Sequence, residues 1–374
     1  MRFPEFSGEW KCTTIGNIGD IKNGPFGSVL HAEDYVENGI PIVTTEHFKT
    51  GLMPSDKFGI PQVSNEDYIR LKGYRLETND IVFSRVGSVD INAHVGIEQN
   101  GWLFSGRVLR VRPKYDIDSL FLHYALSTEA VKRDIRNRAV GQTMPSINTP
   151  ILSSTTIQLP KDLFEQKKVA HFLRLLDKRI ITQNKIIEKL QSLIKGLRVC
   201  CMQRVYGNNV YLSEIAQIYQ PQTISSTELT EDGFLVYGAN GIIGKYKDYN
   251  HETEQICITC RGNTCGMVNY TKPMSWITGN AMVINTDKYQ DKVCKRYLYH
   301  YLSAYNFNSI ISGSGQPQIV RTPLEKLKIT LPTISEQKQK AIIFDKIQDK
   351  IDINHKVLNL YIGQKQYLLR QMFI

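Results

Sequence analysis

The stretch LPKDLFEQKK, Leu159–Lys168, returns as LPTISEQKQK, Leu331–Lys340, about 172 residues further along the chain. Four earlier pairs of segments keep the same order, and the offsets of all five pairs lie between 171 and 176. In chain order these pairs are IVFSRVGS (Ile81–Ser88) with ICITCRGN (Ile256–Asn263), WLFSGRVLRV (Trp102–Val111) with WITGNAMVI (Trp276–Ile284), FLHYALS (Phe121–Ser127) with YLYHYLS (Tyr297–Ser303), and GQTMPSINTP (Gly141–Pro150) with GQPQIVRTP (Gly315–Pro323). The period is too long for a solenoid, so we expect two diverged copies with the pseudo-two-fold symmetry of an isologous dimer.

After each copy of the motif, apolar residues alternate at spacings of three and four over about four heptads, which predicts coiled-coil helices. The first seam comprises Leu173, Leu176, Ile180, Gln183, Ile187, Leu190, Ile194, Leu197 and Cys201. The second comprises Phe344, Ile347, Ile351, Asn354, Leu358, Tyr361, Lys365, Leu368 and Met372. Gln183 and Asn354 occupy equivalent positions, either as a device that sets the register or as polar residues that the seam tolerates. The helices are expected over 161–204 and 333–372, each about 60 Å long.

The repeated motif is interpreted mainly as the start of a helix. Pro160 and Pro332 close the preceding strand or loop, and Asp162 and Ser335 are candidate caps of the first turn. The letters EQK also match half of a metal-dependent nuclease site, but no matching acidic strand stands nearby. A structural role is therefore favoured over catalysis.

Chain connectivity predicts that the two helices run antiparallel. Residues 208–332 between them should form a compact domain with a radius of gyration of about 14 Å, much narrower than the helices are long. An antiparallel pair lets this domain leave one helix and enter the next at the same end. The expected fold class is α+β, with two pseudo-symmetric β-rich globular units held apart by two long antiparallel coiled-coil helices.

Composition favours a polyanionic partner without proving one. The 374 residues carry 46 Lys and Arg against 36 Asp and Glu, a formal net charge of +10. No secretory signal and no apolar run long enough to span a membrane is visible, and the odd count of seven cysteines suggests reduced thiols in the cytoplasm. Cys257, Cys260 and Cys265 lack a second pair with zinc spacing, so no metal site is predicted.

No phosphate loop, nucleophile elbow, dinucleotide fingerprint or amino-methyltransferase motif is found, so a binding protein is favoured over an enzyme. Polar and basic residues in the expected loops are candidates for contacts with base edges and phosphates, although a solvated surface role remains open for each. The first-unit candidates are Lys22, Asn23, Thr45, His47, Arg85, Asn92, Arg107 and Arg138. The second-unit candidates are Gln220, Gln222, Asn240, Lys245, Arg261, Asn263, Asn280, Ser314, Gln316 and Arg321. Arg85 and Arg261 are expected to occupy matching places after matching strands, where a shared salt bridge is the alternative.

Over nearly its whole length the chain resembles the specificity subunit of type I restriction–modification systems. The resemblance rests on the two LP…EQ helix starts with their long helices, on GPFGS, GIPIV and DIVFSRVGS in the first unit, and on YGANGIIGKY in the second. It implies target-recognition domains at 1–140 and 208–312, each reading half of a split asymmetric DNA site. It also implies conserved regions with spacer helices at 141–207 and 313–374.

The same resemblance implies the partners and cofactors. Double-stranded DNA, two methyltransferase subunits docked on the helices, and motor/endonuclease subunits would complete the complex. S-adenosylmethionine, ATP and magnesium would belong to those partners, and this chain would hold no cofactor and perform no reaction. Two alternatives stay open: a stand-alone DNA-binding regulator or coiled-coil adaptor, and a nuclease or methyltransferase with an unrecognised site.

Overall fold

A computed structural model describes residues 2–25, 30–203, 205–239, 241–313 and 315–373 of the chain. The chain divides into unit 1, Met1–Thr182 with Leu358–Ile374, and unit 2, Gln183–Val357. The division falls inside both long helices, so each unit holds the beginning of one of them and the end of the other.

Unit 1 combines short strands with helices of very different length. Its strands are β1 (Lys11–Thr14), β2 (Gly19–Asn23), β3 (Tyr35–Val36), β4 (Ile40–Val43), β5 (Gln62–Val63), β6 (Ile81–Ser84), β7 (Asn92–His94), β8 (Leu103–Phe104), β9 (Val108–Pro113) and β10 (Thr156–Leu159). Its helices are α1 (Ile15–Ile18), α2 (Asn65–Arg70), α3 (Ser119–Leu126), α4 (Glu129–Arg138), α5 (Thr149–Ser153) and the first part of α6 (Leu163–Gln203). One antiparallel sheet has the order β2-β9-β6-β7, a second has the order β3-β5-β4-β8, and β1 pairs with β10.

Unit 2 repeats this plan. Its strands are β11 (Asn208–Tyr211), β12 (Gln217–Tyr219), β13 (Phe234–Gly238), β14 (Gly241–Tyr246), β15 (Ile256–Thr259), β16 (Val268–Tyr270), β17 (Ser275–Ile277), β18 (Ala281–Asn285) and β19 (Lys328–Leu331). Its helices are α7 (Lys295–Ala304), α8 (Arg321–Glu325) and the first part of α9 (Ile334–Met372). The order β12-β18-β15-β16 corresponds to β2-β9-β6-β7, and the parallel pair β13·β17 corresponds to β4·β8. The α+β class and the internal duplication predicted from the sequence are confirmed.

The central strands are buried throughout because both of their faces are covered, and they are apolar except for a final Ser84 or Thr259. All four residues of β6 are buried, and so are all four of β15. Cys257 lies in β15, where burial raises the pKa of its thiol to about 12, so the thiol packs as a small neutral side chain. In the described part of the chain, no group of three or more His, Cys, Asp or Glu residues is placed to hold a metal ion.

The two long helices begin one or two residues from their predicted starts. Asp162 caps α6, since its Oδ1 accepts a hydrogen bond from the backbone N–H of Phe164 at 2.8 Å. The predicted cap Ser335 is wrong. Thr333 caps α9 instead, because its hydroxyl accepts a hydrogen bond from the N–H of Glu336 at 3.4 Å. The Glu336 carboxylate in turn accepts from the N–H of Thr333 at 3.1 Å, which completes a capping box.

The glutamine of each motif is a buried connection between two helices. Gln166 accepts from the N–H of Asp118, the cap of α3, at 2.9 Å and donates to the carbonyl of Pro160 at 3.0 Å. Gln337 accepts from the N–H of Cys294, at the start of α7, at 2.8 Å and donates to the carbonyl of Pro332 at 2.9 Å. Because a buried amide must be paired on both sides, the repeated glutamine fixes each long helix to the globular part of its own unit.

The predicted seams are the contacting faces of the two helices, and every seam position is buried or half-buried. In unit 1, the Lys365 Nζ of α9 donates to Asp177 of α6 at 2.5 Å. In unit 2, Lys340 Nζ donates to the carbonyl of Cys201 at 3.2 Å. The residue numbers of the contacting residues decrease along α9 as those of their partners increase along α6, from Lys365 with Asp177 to Lys340 with Cys201. The helices therefore pack antiparallel, as predicted.

The two polar seam residues bind each other. Gln183 Nε2 donates to both the carbonyl oxygen (3.2 Å) and the side-chain Oδ1 (2.5 Å) of Asn354, and each residue is only 8% exposed. Asn354 Nδ2 donates to the carbonyl of Lys350 at 2.6 Å. A slipped register would leave these amides buried without partners, which favours the register-setting interpretation.

Candidate DNA interface

In unit 2, several of the predicted DNA-binding residues meet at one edge of the sheets. Gln220 follows β12 and donates from Nε2 to the carbonyl of Gly279 at 3.2 Å and toward Cys260 Sγ at 3.2 Å. The N–H of Cys260 in turn donates to the carbonyl of Asn280 at 3.2 Å. These contacts join the loops that follow β12 and β15 to the loop that precedes β18.

A fourth segment completes this edge. The N–H of Gly262 donates to the carbonyl of Pro317 at 3.0 Å, and Arg261 forms an isolated β-bridge with Gln318. We call residues 220–222, 260–264, 278–280 and 316–319 the loop edge of unit 2. It brings together the predicted residues Gln220, Gln222, Arg261, Asn263, Asn280 and Gln316.

Unit 1 has the same arrangement. Arg85 donates from its backbone N–H to the carbonyl of Arg107 at 3.0 Å and from Nη1 to the carbonyl of Gly106 at 3.0 Å. The N–H of Gly24 donates to the carbonyl of Val108 at 3.1 Å, which places the loop after β2 beside them. The loop edge of unit 1 comprises residues 23–25, 85–87, 105–107 and 145–147 and holds the predicted residues Asn23, Arg85 and Arg107.

Hydrogen bonds fix which residues of the two edges correspond. Ile147 donates from its N–H to the carbonyl of Arg85 at 2.9 Å, as Ile319 does to that of Cys260 at 3.0 Å. Arg85 is therefore equivalent to Cys260, and Arg261 lies one residue further on. The prediction that the two arginines occupy matching places is wrong by one residue, and the Nη1 of Arg85 is engaged by a carbonyl rather than by a salt bridge.

Other first-unit candidates have internal contacts. Asn92 is buried, with Oδ1 2.7 Å from His123 Nδ1 and Nδ2 donating to Ser127 Oγ at 3.1 Å. Arg138 pairs with Asp134 and donates to the carbonyl of Ile151 at 3.0 Å. These contacts give both side chains a role in folding.

Three more first-unit candidates lie near the ends of strands. His47 Nδ1 accepts from the N–H of Thr44 at 3.1 Å, and burial lowers the pKa of this imidazole, so it is neutral at physiological pH. Thr45 begins the same 3₁₀ turn. The Lys22 ammonium lies 5.1 Å from the centre of the Tyr74 ring.

Among the remaining second-unit candidates, Lys245 pairs with Asp232 at 3.3 Å and Arg321 pairs with Glu325 at 2.6 Å. Asn240 and Ser314 lie outside the described residues. Arg107 and Arg261 differ from these paired cations. Both residues are exposed, and neither guanidinium forms an ion pair within the ranges that the structure covers. An exposed cation at a loop edge is suited to a phosphate or a guanine edge.

Glycines shape both edges, although none of them is among the contact residues predicted from the sequence. A Cβ on Gly106 would lie 2.3 Å from the carbonyl oxygen of Pro25, and one on Gly279 would lie 2.6 Å from Thr223 Oγ1. Each glycine precedes a predicted contact residue, Arg107 or Asn280. The sequence does indicate these glycines, because SGR at Ser105–Arg107 aligns with TGN at Thr278–Asn280 in the two copies.

The long helices carry a second surface that the sequence reading missed. Large apolar side chains are exposed at positions one residue before a seam position. On α6 these are Leu175, Ile186 and Leu193, and on α9 they are Ile343, Ile353, Leu360 and Tyr367, all between 38% and 71% exposed. Clustered exposed apolar residues are typical of protein–protein contact sites, whereas single ones are ordinary on any protein surface. No helix among the described residues is long and apolar enough to cross a membrane.

The family described as the type I restriction modification DNA specificity domain matches residues 7–192 and 208–360. The MjaVIII specificity subunit of Methanocaldococcus jannaschii is 25% identical over 95% of this chain and 89% of its own. The putative MjaX specificity subunit of the same organism is 28% identical over 94% and 90%. The EcoprrI specificity subunit of Escherichia coli is 31% identical over 38% of this chain and 36% of its own length.

Solved structures share the fold at low identity. The S subunit of a type I restriction-modification system from M. genitalium superposes with a TM-score of 0.67 at 17% identity, covering 100% of this chain and 99% of that one. A chain from a study of type I complex assembly and conformational transition superposes with a TM-score of 0.58 at 14% identity, covering 99% and 98%.

Proposed function

The chain belongs to the family of type I restriction–modification DNA specificity subunits, and from that premise we propose that unit 1 and unit 2 each read one half of a bipartite DNA site. The reading surfaces are the two loop edges. The proposed domain limits are 1–140 and 208–312 for the readers, with 141–207 and 313–374 as the helical regions.

One observation carries this proposal. Four segments converge on the same edge in both units, yet their side chains differ: Asn23 corresponds to Gln220, and Arg107 corresponds to Asn280. The backbone frame is duplicated while its donors and acceptors have diverged. That pattern suits two readers of different base sequences, since sequence is read by side chains and the frame only positions them.

Two weak readers on one polypeptide bind tightly only when both can engage at once. Binding of the first half-site raises the effective concentration of the second reader at its own half-site, provided that the spacing matches. We propose that α6 and α9, 41 and 39 residues long, set this spacing. Their antiparallel seam and the buried Gln183–Asn354 pair would keep the register from slipping.

The exposed apolar rows on α6 and α9 are the proposed docking surface for two methyltransferase subunits, one on each unit. In the proposed complex, this chain supplies DNA specificity and a scaffold. The methyltransferase subunits would catalyse methylation, and the motor/endonuclease subunits would catalyse cleavage. S-adenosylmethionine, ATP and magnesium would then be bound by those partners. Extrusion of the target adenine would also occur there.

The test is an exchange of residues 208–312 for the corresponding segment of a relative with a different target. The chimera and its methyltransferase partner are expressed in a host that lacks other adenine methylation, and methylated motifs are mapped by sequencing. We expect one half of the motif to change and the other half and the spacer to stay. A change in both halves would contradict separate readers. Specific DNA binding by the chain alone, with no association with the methyltransferase, would favour a stand-alone regulator.

A further inference from the structure

Each unit has a cleft in the same place, between its globular part and the long helices. In unit 1 the cleft has a volume of about 660 Å³ and is bordered by residues of the loop after β4, of α3 and α4, and of α6 and α9. In unit 2 the volume is about 450 Å³, and the borders are α7, the segment 305–311 that follows it and includes Asn308, residues 265–268 at the start of β16, and Arg198 of α6. We call these cleft 1 and cleft 2.

The lining positions correspond. His123 and Ser127 of α3 line cleft 1, and their equivalents Tyr299 and Ser303 of α7 line cleft 2. In both helices the serine hydroxyl donates to the carbonyl four residues earlier, at 2.8 Å in α3 and 2.7 Å in α7. The clefts are thus a duplicated feature of the fold.

A cation from the returning helix is fixed at each cleft. In cleft 1, Lys365 donates to Asp177 at 2.5 Å, and the hydroxyl of Tyr124 donates to the same carboxylate at 2.6 Å. In cleft 2, Arg198 lies with Nη2 2.9 Å from Nδ1 of the buried His300. Tyr124 and His300 are equivalent residues of the repeat. In each cleft, a side chain from this same position in the fold helps to fix the cation.

Nε2 of His300 faces Asp345 Oδ1 at 2.8 Å, so a neutral imidazole donates there and accepts from Arg198 on its other side. Burial lowers the pKa of His300, so the imidazole stays neutral, and its bonds to Asp345 and Arg198 fix the tautomer. The guanidinium of Arg198 is consequently held in one position beside cleft 2.

Positive charge exceeds negative charge in both linings. Cleft 1 has four cations, Lys49, Lys132, Lys365 and Arg370, against two carboxylates, Glu129 and Asp177. Cleft 2 has Arg198 and no carboxylate among its lining residues.

The rest of each wall is largely apolar, with Leu52, Ile91, Ile180 and Leu369 in cleft 1 and Met267, Val268, Leu302 and Phe307 in cleft 2. A cleft of this composition suits an occupant that carries a carboxylate next to aliphatic or aromatic groups. A DNA backbone lacks the large apolar groups that these walls would cover.

We infer that each cleft receives the same acidic, partly apolar segment of a methyltransferase subunit, one copy in cleft 1 and one in cleft 2. This inference rests on the proposed function and adds a docking site to it. Three observations support it: the clefts are duplicated, their excess charge is positive, and cleft 1 includes Ile362, an exposed apolar residue of the helix pair on which docking is proposed. Two identical copies of a partner subunit require two equivalent docking sites.

Variants that place a carboxylate in each cleft, with adjacent controls, test the inference. Lys132→Glu places a carboxylate in cleft 1, and Arg133→Glu places one on the next residue of α4, outside the cleft. Asn308→Glu and Ser309→Glu form the corresponding pair for cleft 2. Each is combined with wild-type methyltransferase, and the populations with one and two bound copies are counted by native mass spectrometry across a concentration series.

We expect each cleft variant to weaken one of the two binding steps by about tenfold or more, and the double cleft variant to weaken both. The controls should bind as wild type does. A photo-crosslinking residue at position 132 should capture a methyltransferase peptide that contains Asp or Glu beside aliphatic residues.

Cleft variants that bind like their controls would overturn the inference while leaving the proposed function intact, and so would a crosslink to DNA or to a second copy of this chain. If the wild-type chain failed to bind any methyltransferase, the proposed function itself would fall.

Discussion

The repeated glutamine offers the sharpest test of how the fold is held together. Gln166→Met keeps the length and approximate volume of the side chain but removes its two hydrogen bonds. The N–H of Asp118 and the carbonyl of Pro160 then stay near the protein interior without a partner. At about 1–3 kcal/mol for each of the two unsatisfied groups, the free energy of unfolding of unit 1 should fall by about 2–6 kcal/mol. Gln337→Met should have the same effect in unit 2.

Amide hydrogen exchange measures the effect where it arises. In wild type the N–H of Asp118 is bonded to Gln166 Oε1 at 2.9 Å, and in Gln166→Met it should exchange faster along with the first turn of α3. Lys167→Met is the matched control, because this neighbouring side chain is exposed and changes the same helix turn. Unchanged exchange at Asp118, or an equal loss of stability in the control, would refute the role assigned to the repeated glutamine.

The polar seam pair, the buried His123 and the exposed Arg261 can each be tested by substitution. Gln183→Leu or Asn354→Leu alone should lower the free energy of unfolding by about 1–3 kcal/mol, because the remaining buried amide loses its side-chain partner and keeps only a bond to a backbone carbonyl. The double variant should recover most of this loss in urea titrations. Burial lowers the pKa of His123 to about 3, so only the unfolded chain gains a proton there between about pH 7 and about pH 5. The free energy of unfolding should fall by about 2 kcal/mol more in wild type than in His123→Gln over that interval. Arg261→Ala should weaken binding of the second half-site by about 1–3 kcal/mol if the guanidinium reads a base, or lower the salt slope by about 1 if it contacts a phosphate, with Lys288→Ala as the control in fluorescence anisotropy.

The helical part of the fold could be predicted from the sequence because it depends on local periodicity. Alternating spacings of three and four give the seam, and a compact domain between the helices requires them to return antiparallel. The cap of α9 was predicted wrongly because Ser335 and Thr333 are chemically similar. Only the geometry shows that Thr333 faces the first turn and forms a capping box with Glu336.

The sequence predicted which types of residue lie at the candidate interface, but it predicted the positions of individual residues less well. Arg107, Arg261 and Asn280 do lie at the loop edges, because turn residues at strand ends meet where the strands of a sheet end. Asn92 was chosen for its polarity, and nothing in its neighbourhood of the sequence reveals that a buried histidine 31 residues later binds it. Long-range pairing of this kind is set by tertiary packing. The exposed apolar rows on α6 and α9 were missed for a related reason: each row lies next to a seam, and a linear reading assigns such residues to the core.

The central claim is that two separate readers are held at a spacing set by the antiparallel helices. Deleting 184–190 from α6 together with 347–353 from α9 removes one heptad from each helix and leaves Gln183 and Asn354 opposite each other. Seven residues correspond to about 10 Å of helix, or about 3 base pairs of DNA. Mapping the methylated motif of this variant should show both half-sites unchanged and a spacer about 3 base pairs shorter. An unaltered spacer with full methylation would contradict the claim.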